Sequence, residues 1–107
     1  MNERYVRATL GLRLRMMRRA RGLSQEKLGD RCDLSGKFLG EVERSEKSIS
    51  IDSLSRVAVA LKVPLRDLAD VDGQPPDPQF EQLVAIARQV PRKGLAKVVA
   101  VVKALVA

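Results

Sequence analysis

The sequence predicts an all-α protein, and three observations support this class. Aromatic residues make up only 3% of the chain, and runs of the β-branched residues that sheets favour are few. Apolar residues recur at i, i+3, i+4 and i+7 in several separate stretches, which is the period of one helix face. Serine or proline stands where several of these stretches begin, as at helix N-termini.

The first three predicted helices follow one another closely. A first helix covers residues 9–21 and ends at Gly22, and its apolar face consists of Leu10, Leu14 and Met17. Ser24 is a good N-cap for a second helix that ends near Cys32, because its side chain can accept from unpaired backbone N–H groups. Ser35 caps a third helix after a turn of about three residues.

Two further helices complete the main domain. Ser50 caps a fourth helix, whose apolar stripe ends at Leu61. Pro64 starts a short fifth helix through Leu68, since proline is tolerated in a first turn and not in a helix interior. At 107 residues the chain suits one core of this kind with a small appendage.

Composition limits the function classes. A net charge of +7 and a pI of about 10.2 favour a polyanionic partner, with nucleic acid ahead of an acidic membrane surface or an acidic protein. The chain has one cysteine and no histidine, which excludes disulfide frameworks, Cys/His zinc sites and imidazole catalysis. We therefore expect no cofactor and no metal. No signal sequence opens the chain, so we expect a cytoplasmic, nucleoid-associated protein.

Two short helices joined by a tight turn and held by an earlier helix have the geometry of a helix-turn-helix unit. A specific pattern runs through this part of the chain: Leu14, Arg18 and the runs GLSQEKLG (22–29), DLS (33–35), VER (42–44) and SIDSL…AVALKVPLRDL (50–68). On these residues, the stretch from Leu10 to Leu68 resembles the Cro/C1-type helix-turn-helix family of bacterial and phage regulators. The resemblance implies a five-helix, lambda-repressor-like bundle whose third helix reads DNA bases.

The resemblance also implies contact residues. Base edges are expected to face Gly36, Lys37, Phe38 and Glu41, and phosphates are expected to meet Ser24, Gln25, Ser35, Arg44 and Lys47. Helical spacing independently projects Lys37, Gly40, Glu41 and Arg44 away from the apolar positions of the same helix.

Several of these residues have an alternative role. Lys37 and Glu41 are four residues apart and could simply pair as an exposed salt bridge. Phe38 could contact DNA or pack on the second helix. Gly36 and Gly40 are expected to leave the reading face bare, with few base contacts.

Other matched positions are structural. The resemblance implies that Arg18 and Glu43 form an ion pair that joins the first helix to the end of the third. Cys32 is expected to be a buried, inert thiol, since free cysteine is among the most buried residue types. Ser45 stands where the family usually has glycine in a left-handed conformation, so we expect the turn after the third helix to be slightly strained or reshaped.

The end of the chain is predicted to be separate. VDGQPPDP, at 71–78, reads as a linker between a domain of residues 1–70 and a C-terminal αα-hairpin within residues 79–107. Its last stretch is interrupted by Lys97 and Lys103 and is too short for a membrane anchor. Because such a hairpin cannot bury its own apolar faces, we expect a homodimer through Phe80, Leu83, Val84, Leu95, Val98, Val99, Val102, Leu105 and Val106. The alternative is that both helices fold back on the bundle.

This layout also resembles, weakly, the biofilm and sporulation repressors of bacilli, whose tail helices oligomerise and bind antagonist proteins. The sequence thus favours a dimeric regulator, a repressor rather than an activator, that binds a palindromic site on double-stranded DNA. The rival hypothesis is an antitoxin or bridging protein that mainly holds a partner protein. An enzyme is not expected, because Asp30, Asp33 and Glu41 are too scattered for an acid and base pair.

Overall fold

The computed structural model describes residues 3–70 and 77–106, and every regular element in this part of the chain is helical. Its elements are α1 (Glu3–Ala20), α2 (Gln25–Cys32), α3 (Gly36–Glu43), α4 (Ile51–Leu61), α5 (Leu65–Leu68), α6 (Pro78–Gln89), a 3-10 turn (Arg92–Gly94) and α7 (Leu95–Val106). The predicted all-α class is therefore confirmed.

Two predicted boundaries are wrong. Helix α1 starts at Glu3 rather than Thr9, because no glycine or proline interrupts these residues and an acidic first turn suits the helix dipole. Pro78 was expected to be linker and is instead the first residue of α6. Asp77 caps that helix, with its Oδ1 accepting from the Gln79 amide at 2.9 Å. The other predicted linker residues, 71–76, lie outside the described residues.

The core lies where α1 to α5 meet. The predicted apolar positions of these helices converge there, and Leu14, Leu28, Leu39, Val57, Leu61 and Leu68 are fully buried. Helix α2 packs against α3 and α4, and α1 packs against the far side of α3. Burying a leucine stabilises a fold by roughly 1.5–3 kcal/mol, so these side chains fix the position of α3 in the bundle.

Helix α6 packs against α1 rather than standing apart. Ala85 and Glu81 of α6 are 4% and 6% exposed, and the Glu81 Oε1 atom lies 3.9 Å from Nη1 of buried Arg13. Of the two alternatives for the C-terminal helices, folding back on the bundle therefore applies to α6. Phe80 and Leu83, on the other side of α6, are exposed.

Helix α7 buries no side chains against the bundle in the way that α6 does. None of its described residues is buried, and it packs mainly on the 3-10 turn that precedes it. Its apolar side chains, Val99, Val102 and Leu105 among them, are largely open to solvent. No described helix is both long enough and apolar enough to cross a bilayer.

Two glycines allow close approach of main chains around α3. A Cβ atom on Gly11 of α1 would lie 2.6 Å from the Val42 carbonyl oxygen, so α1 and α3 touch backbone to backbone. A Cβ atom on Gly29 of α2 would lie 2.2 Å from the Leu34 carbonyl oxygen. The turn that separates α2 and α3 therefore closes only over a residue without a side chain.

The end of α3 has the strained turn that the sequence predicts. Ser45 has φ of 68°, its amide donates to the Val42 carbonyl at 3.1 Å, and the Glu46 amide donates to the Glu41 carbonyl at 2.8 Å. These two bonds form the Schellman arrangement, which favours glycine at the left-handed position.

We expect Ser45→Gly to stabilise the protein. A left-handed L-residue costs roughly 1–2 kcal/mol, part of which glycine loses again through its greater freedom in the unfolded chain, so a net gain of about 0.5–1 kcal/mol is expected. Thermal unfolding would show a Tm about 4 °C higher. Ser45→Ala is the control, because it removes the hydroxyl and keeps the Cβ. An equal gain in both variants would contradict backbone strain as the cause.

Candidate nucleic-acid interface

The N-termini of α2 and α3 each carry an exposed serine cap. The Ser24 Oγ accepts from the Lys27 amide at 3.0 Å, and the Ser35 Oγ accepts from the Phe38 amide at 3.0 Å. Each hydroxyl keeps its own proton for donation to an outside acceptor. Because helix N-termini also carry partial positive charge, both predicted phosphate contacts are chemically ready for an anion.

Two charged side chains at the centre of the outer side of α3 do not pair with each other. Lys37 is exposed and Glu41 half-buried, and none of the ion pairs formed by the described residues joins the two. The exposed salt bridge that was the alternative for Lys37 is therefore not formed, and its ammonium group is available to a ligand.

The end of α3 and the loop after it add two cations. Arg44 is exposed and its Nε donates to Glu46 Oε1 at 3.0 Å. This bond raises the pKa of the Arg44 guanidinium and lowers the pKa of the Glu46 carboxyl. Lys47 is exposed beside them. To bind a phosphate, the Arg44 guanidinium must break or share its hydrogen bonds with Glu46. The Lys47 ammonium forms no ion pair among the described residues.

The glycines of α3 have a different role from the one predicted. Gly40 is buried, and a Cβ there would lie 3.0 Å from Gln25 Oε1, so its predicted outward position is wrong. A Cβ on Gly36 would lie 3.1 Å from the backbone of Glu26. The two residues share one helix face, which lies on α2, and they allow the two helices to approach closely.

The Phe38 ring is half-buried and packs against the core, which is the packing alternative for this residue. Base contacts from Gly36 and Phe38 stay predictions.

A buried network joins α1, α2 and α3 behind this surface. Arg18 Nε donates to Glu43 Oε2 at 2.7 Å, and its Nη2 donates to Oε1 at 2.9 Å. Its Nη1 donates to the Leu23 carbonyl at 2.7 Å. The pair that the resemblance implied thus forms in the structure, with side chains 9% and 2% exposed.

The sequence reasoning missed the third member of this network. Gln25 Nε2 donates to Glu43 Oε1 at 3.2 Å, so the side chain expected to meet a phosphate lies along α3. Gln25 remains the first residue of α2, where its backbone N–H is still at the helix terminus. A carboxylate that already accepts two arginine bonds has spare acceptor sites, which is the signal that could have identified this partner.

Cys32 is buried, as expected, and its thiol lies 3.1 Å from the Leu28 carbonyl. Burial raises the pKa of this thiol, so the reactive thiolate is disfavoured. Within residues 3–70 and 77–106, no group of three histidine, cysteine or acidic side chains could hold a metal ion.

Comparison with known proteins agrees with this geometry. The HTH_3 family model, described as helix-turn-helix, matches residues 14–68, just over half of the chain. The chain belongs to this family. HTH_3 membership confirms the resemblance to Cro/C1-type regulators and supports a DNA-binding transcriptional regulator.

One curated relative and two solved structures illustrate the range of the family. The control protein C.BamHI of Bacillus amyloliquefaciens is 33% identical over 66 residues, covering 61% of this chain and 82% of that protein. An HTH_3 transcriptional regulator from Vibrio cholerae has a TM-score of 0.62 at 25% identity, covering 74% of this chain and 42% of that chain. This chain thus spans under half of that regulator.

The second structure is the complex of the SinR and SinI proteins. Its TM-score is 0.58 at 26% identity, and the match covers 88% of this chain and 94% of that chain. The similarity therefore extends beyond the helix-turn-helix unit.

Proposed function

We propose that this protein is a sequence-specific transcriptional repressor that binds a palindromic operator as a dimer, with α3 in the major groove. The observation that carries the proposal is the exposed, unpaired Lys37 on α3, flanked by the Ser24 and Ser35 caps. Because its partner is DNA, we place the protein in the cytoplasm, with the nucleoid.

Base reading follows from the donors and acceptors on α3. A lysine donates to the O6 and N7 acceptors of guanine, and a glutamate accepts from the N4 amine of cytosine. Lys37 and Glu41 lie one turn apart, so they can address neighbouring base pairs. A dimer bound in this way would repress a gene by covering the promoter DNA that its operator overlaps.

The test of this function is selection from a random duplex pool, followed by anisotropy titration at several salt concentrations. The salt slope separates phosphate attraction from base recognition. We expect a palindromic consensus with half-sites about one helical turn apart. A pool without enrichment, together with binding that vanishes near physiological salt, would overturn the proposal.

Lys37→Ala should weaken binding to the selected operator by about 1–3 kcal/mol and relax its sequence preference. Lys47→Ala is the matched control: it should weaken binding to all duplexes similarly and reduce the salt slope by about one. Both are measured by anisotropy on operator and random DNA. Equal losses on the two duplexes for Lys37→Ala would exclude a base contact.

Dimerisation is expected to use α7, since its apolar side chains are exposed and the half-sites of a palindrome require two-fold symmetry. Val102→Glu should produce a monomer in sedimentation and lower operator affinity at least about tenfold. Ala104→Glu, on the opposite side of α7, is the matched control and should remain a dimer. Because α7 buries no residue, neither change should unfold the bundle. A Val102→Glu protein that still sediments as a dimer would contradict this assignment.

A second candidate role is binding of a protein partner, as in an antitoxin, a bridging factor or a repressor with an antagonist. The uncovered face of α7 favours it, and the SinR structure, which covers most of this chain, is itself a complex with another protein. Purification of the chain from its own cell as a stable hetero-complex, without operator enrichment, would select this role.

A further inference from the structure

Away from the proposed DNA surface, a cavity of about 200 Å³ lies between the end of α1, α2, the end of α4 and α6. Four cationic side chains line it: Arg21, Arg31, Lys62 and Arg88. Its apolar part is formed by residues such as Leu61 and Ala85, and among the described residues no carboxylate lines it. Such concentration of one charge sign in a concave site attracts anions.

Arg21 is held rigidly at this cavity. Its Nε donates to the Leu61 carbonyl at 2.7 Å, and its Nη1 donates to the Met17 carbonyl at 2.8 Å. Its Nη2 is buried and has no hydrogen-bond acceptor among the described residues. Buried N–H groups are nearly always paired, so this nitrogen lacks an acceptor, and it belongs to a side chain that lines the cavity.

The charges around the cavity are not neutralised by salt bridges. Within the part of the chain that the structure describes, none of its four cations forms an ion pair. Burial lowers the pKa of the Arg21 guanidinium; Glu81 acts against this shift and Arg88 adds to it. Glu81 is engaged with Arg13 on α1. An anion in the cavity would supply both the acceptor and the charge that these side chains lack.

We propose that this cavity binds a small multivalent oxyanion, either a phosphorylated metabolite or a polycarboxylate. Its volume of about 200 Å³ admits a pyrophosphate or citrate group. Guanidinium groups bind both phosphate and carboxylate in bidentate fashion. Because its walls come from α1, α2, α4 and α6, the bound anion ties α6 to the DNA-binding bundle. The proposal does not depend on operator binding.

Calorimetric titration of the full chain with sodium pyrophosphate and with citrate, at constant ionic strength, tests this site. We expect saturable binding of one anion per chain and a rise in Tm with anion concentration. The preferred anion distinguishes a phosphate ligand from a carboxylate one. Arg88→Gln should raise the Kd about tenfold. Arg66→Gln removes the same charge from an exposed position outside the cavity and should change the Kd less than about twofold.

Arg88 is exposed, so its replacement should leave the fold intact; an unchanged Tm without anion verifies this. Non-saturable binding of both anions, or equal losses in the two variants, would overturn the proposal in favour of general counterion attraction. Loss of DNA affinity in Arg88→Gln with unchanged anion binding would also overturn it, because the cations would then serve the DNA backbone.

Discussion

Replacing Arg18 with methionine is expected to lower the free energy of unfolding by about 3–5 kcal/mol. The guanidinium makes two bonds to Glu43 and one to the Leu23 carbonyl, and its removal leaves a carboxylate that is 2% exposed without its counter-ion. Gln25, the other partner of that carboxylate, is neutral and cannot replace the lost charge. Urea unfolding of the two proteins measures the difference. Since domains are stable by only about 5–15 kcal/mol, this loss is a large fraction of the total.

Arg56→Met is the matched control for this change. Arg56 pairs with Asp33 at 3.7 Å, but both side chains are largely exposed, so a loss within about 0.5 kcal/mol is expected. The double variant Arg18→Met with Glu43→Leu should recover much of the stability, because no unpaired charge is then buried. Similar losses of stability for Arg18→Met and Arg56→Met would show that the buried network stabilises the fold no more than an exposed ion pair does.

Gly29→Ala is expected to destabilise the protein by about 3 kcal/mol, the upper end of the range for overpacking. The new Cβ would lie 2.2 Å from the Leu34 carbonyl oxygen, a backbone atom that cannot move without opening the turn between α2 and α3. Alanine normally stabilises a helix relative to glycine, so a lower stability of this variant would be caused by the clash and not by helix propensity. Operator affinity should fall as well, because α3 is displaced relative to α2.

Gly22→Ala is the comparison for this variant. Gly22 has φ of +68°, and nothing lies within 4 Å of the position that a Cβ would take. Alanine there therefore loses only the conformational energy of a left-handed residue, about 1–2 kcal/mol. Thermal and urea unfolding of both variants should rank Gly29→Ala as the less stable. The reverse order would mean that the turn absorbs the extra methyl group by a backbone shift.

Features set by local chemistry could be predicted from the sequence. The three predicted N-caps are confirmed at Ser24, Ser35 and Ser50. A serine just before an apolar periodic run favours this position because its side chain accepts from the unpaired N–H groups of the first turn. The strain at Ser45 was implied by the family resemblance, which has glycine at this position, and the structure shows a positive φ there with two bonds beyond the end of α3.

Features set by contacts between distant residues could not be predicted. The direction of Gly40 depends on how far α3 rotates when it packs on α2, and periodicity alone does not fix that angle. Nothing in the sequence marks Glu81 as the partner of Arg13, so the docking of α6 on α1 could be stated only as one of two alternatives. Two of the cavity's four cations lie in α2 and α6 and the other two lie just after the ends of α1 and α4, so they have no common pattern in the sequence.

Helix α1 touches α3 on one side, where Gly11 meets the carbonyls of Val42 and Glu43, and α6 on another, where Arg13 meets Glu81. Melting of α6 would expose the buried Arg13 and Ala85, so it cannot proceed without a cost to α1 and, through it, to α3. We therefore expect the cooperative folding unit to extend to about Gln89. Among the described helices, α7 alone lies beyond that unit, where it could gain or lose a partner without disturbing α3.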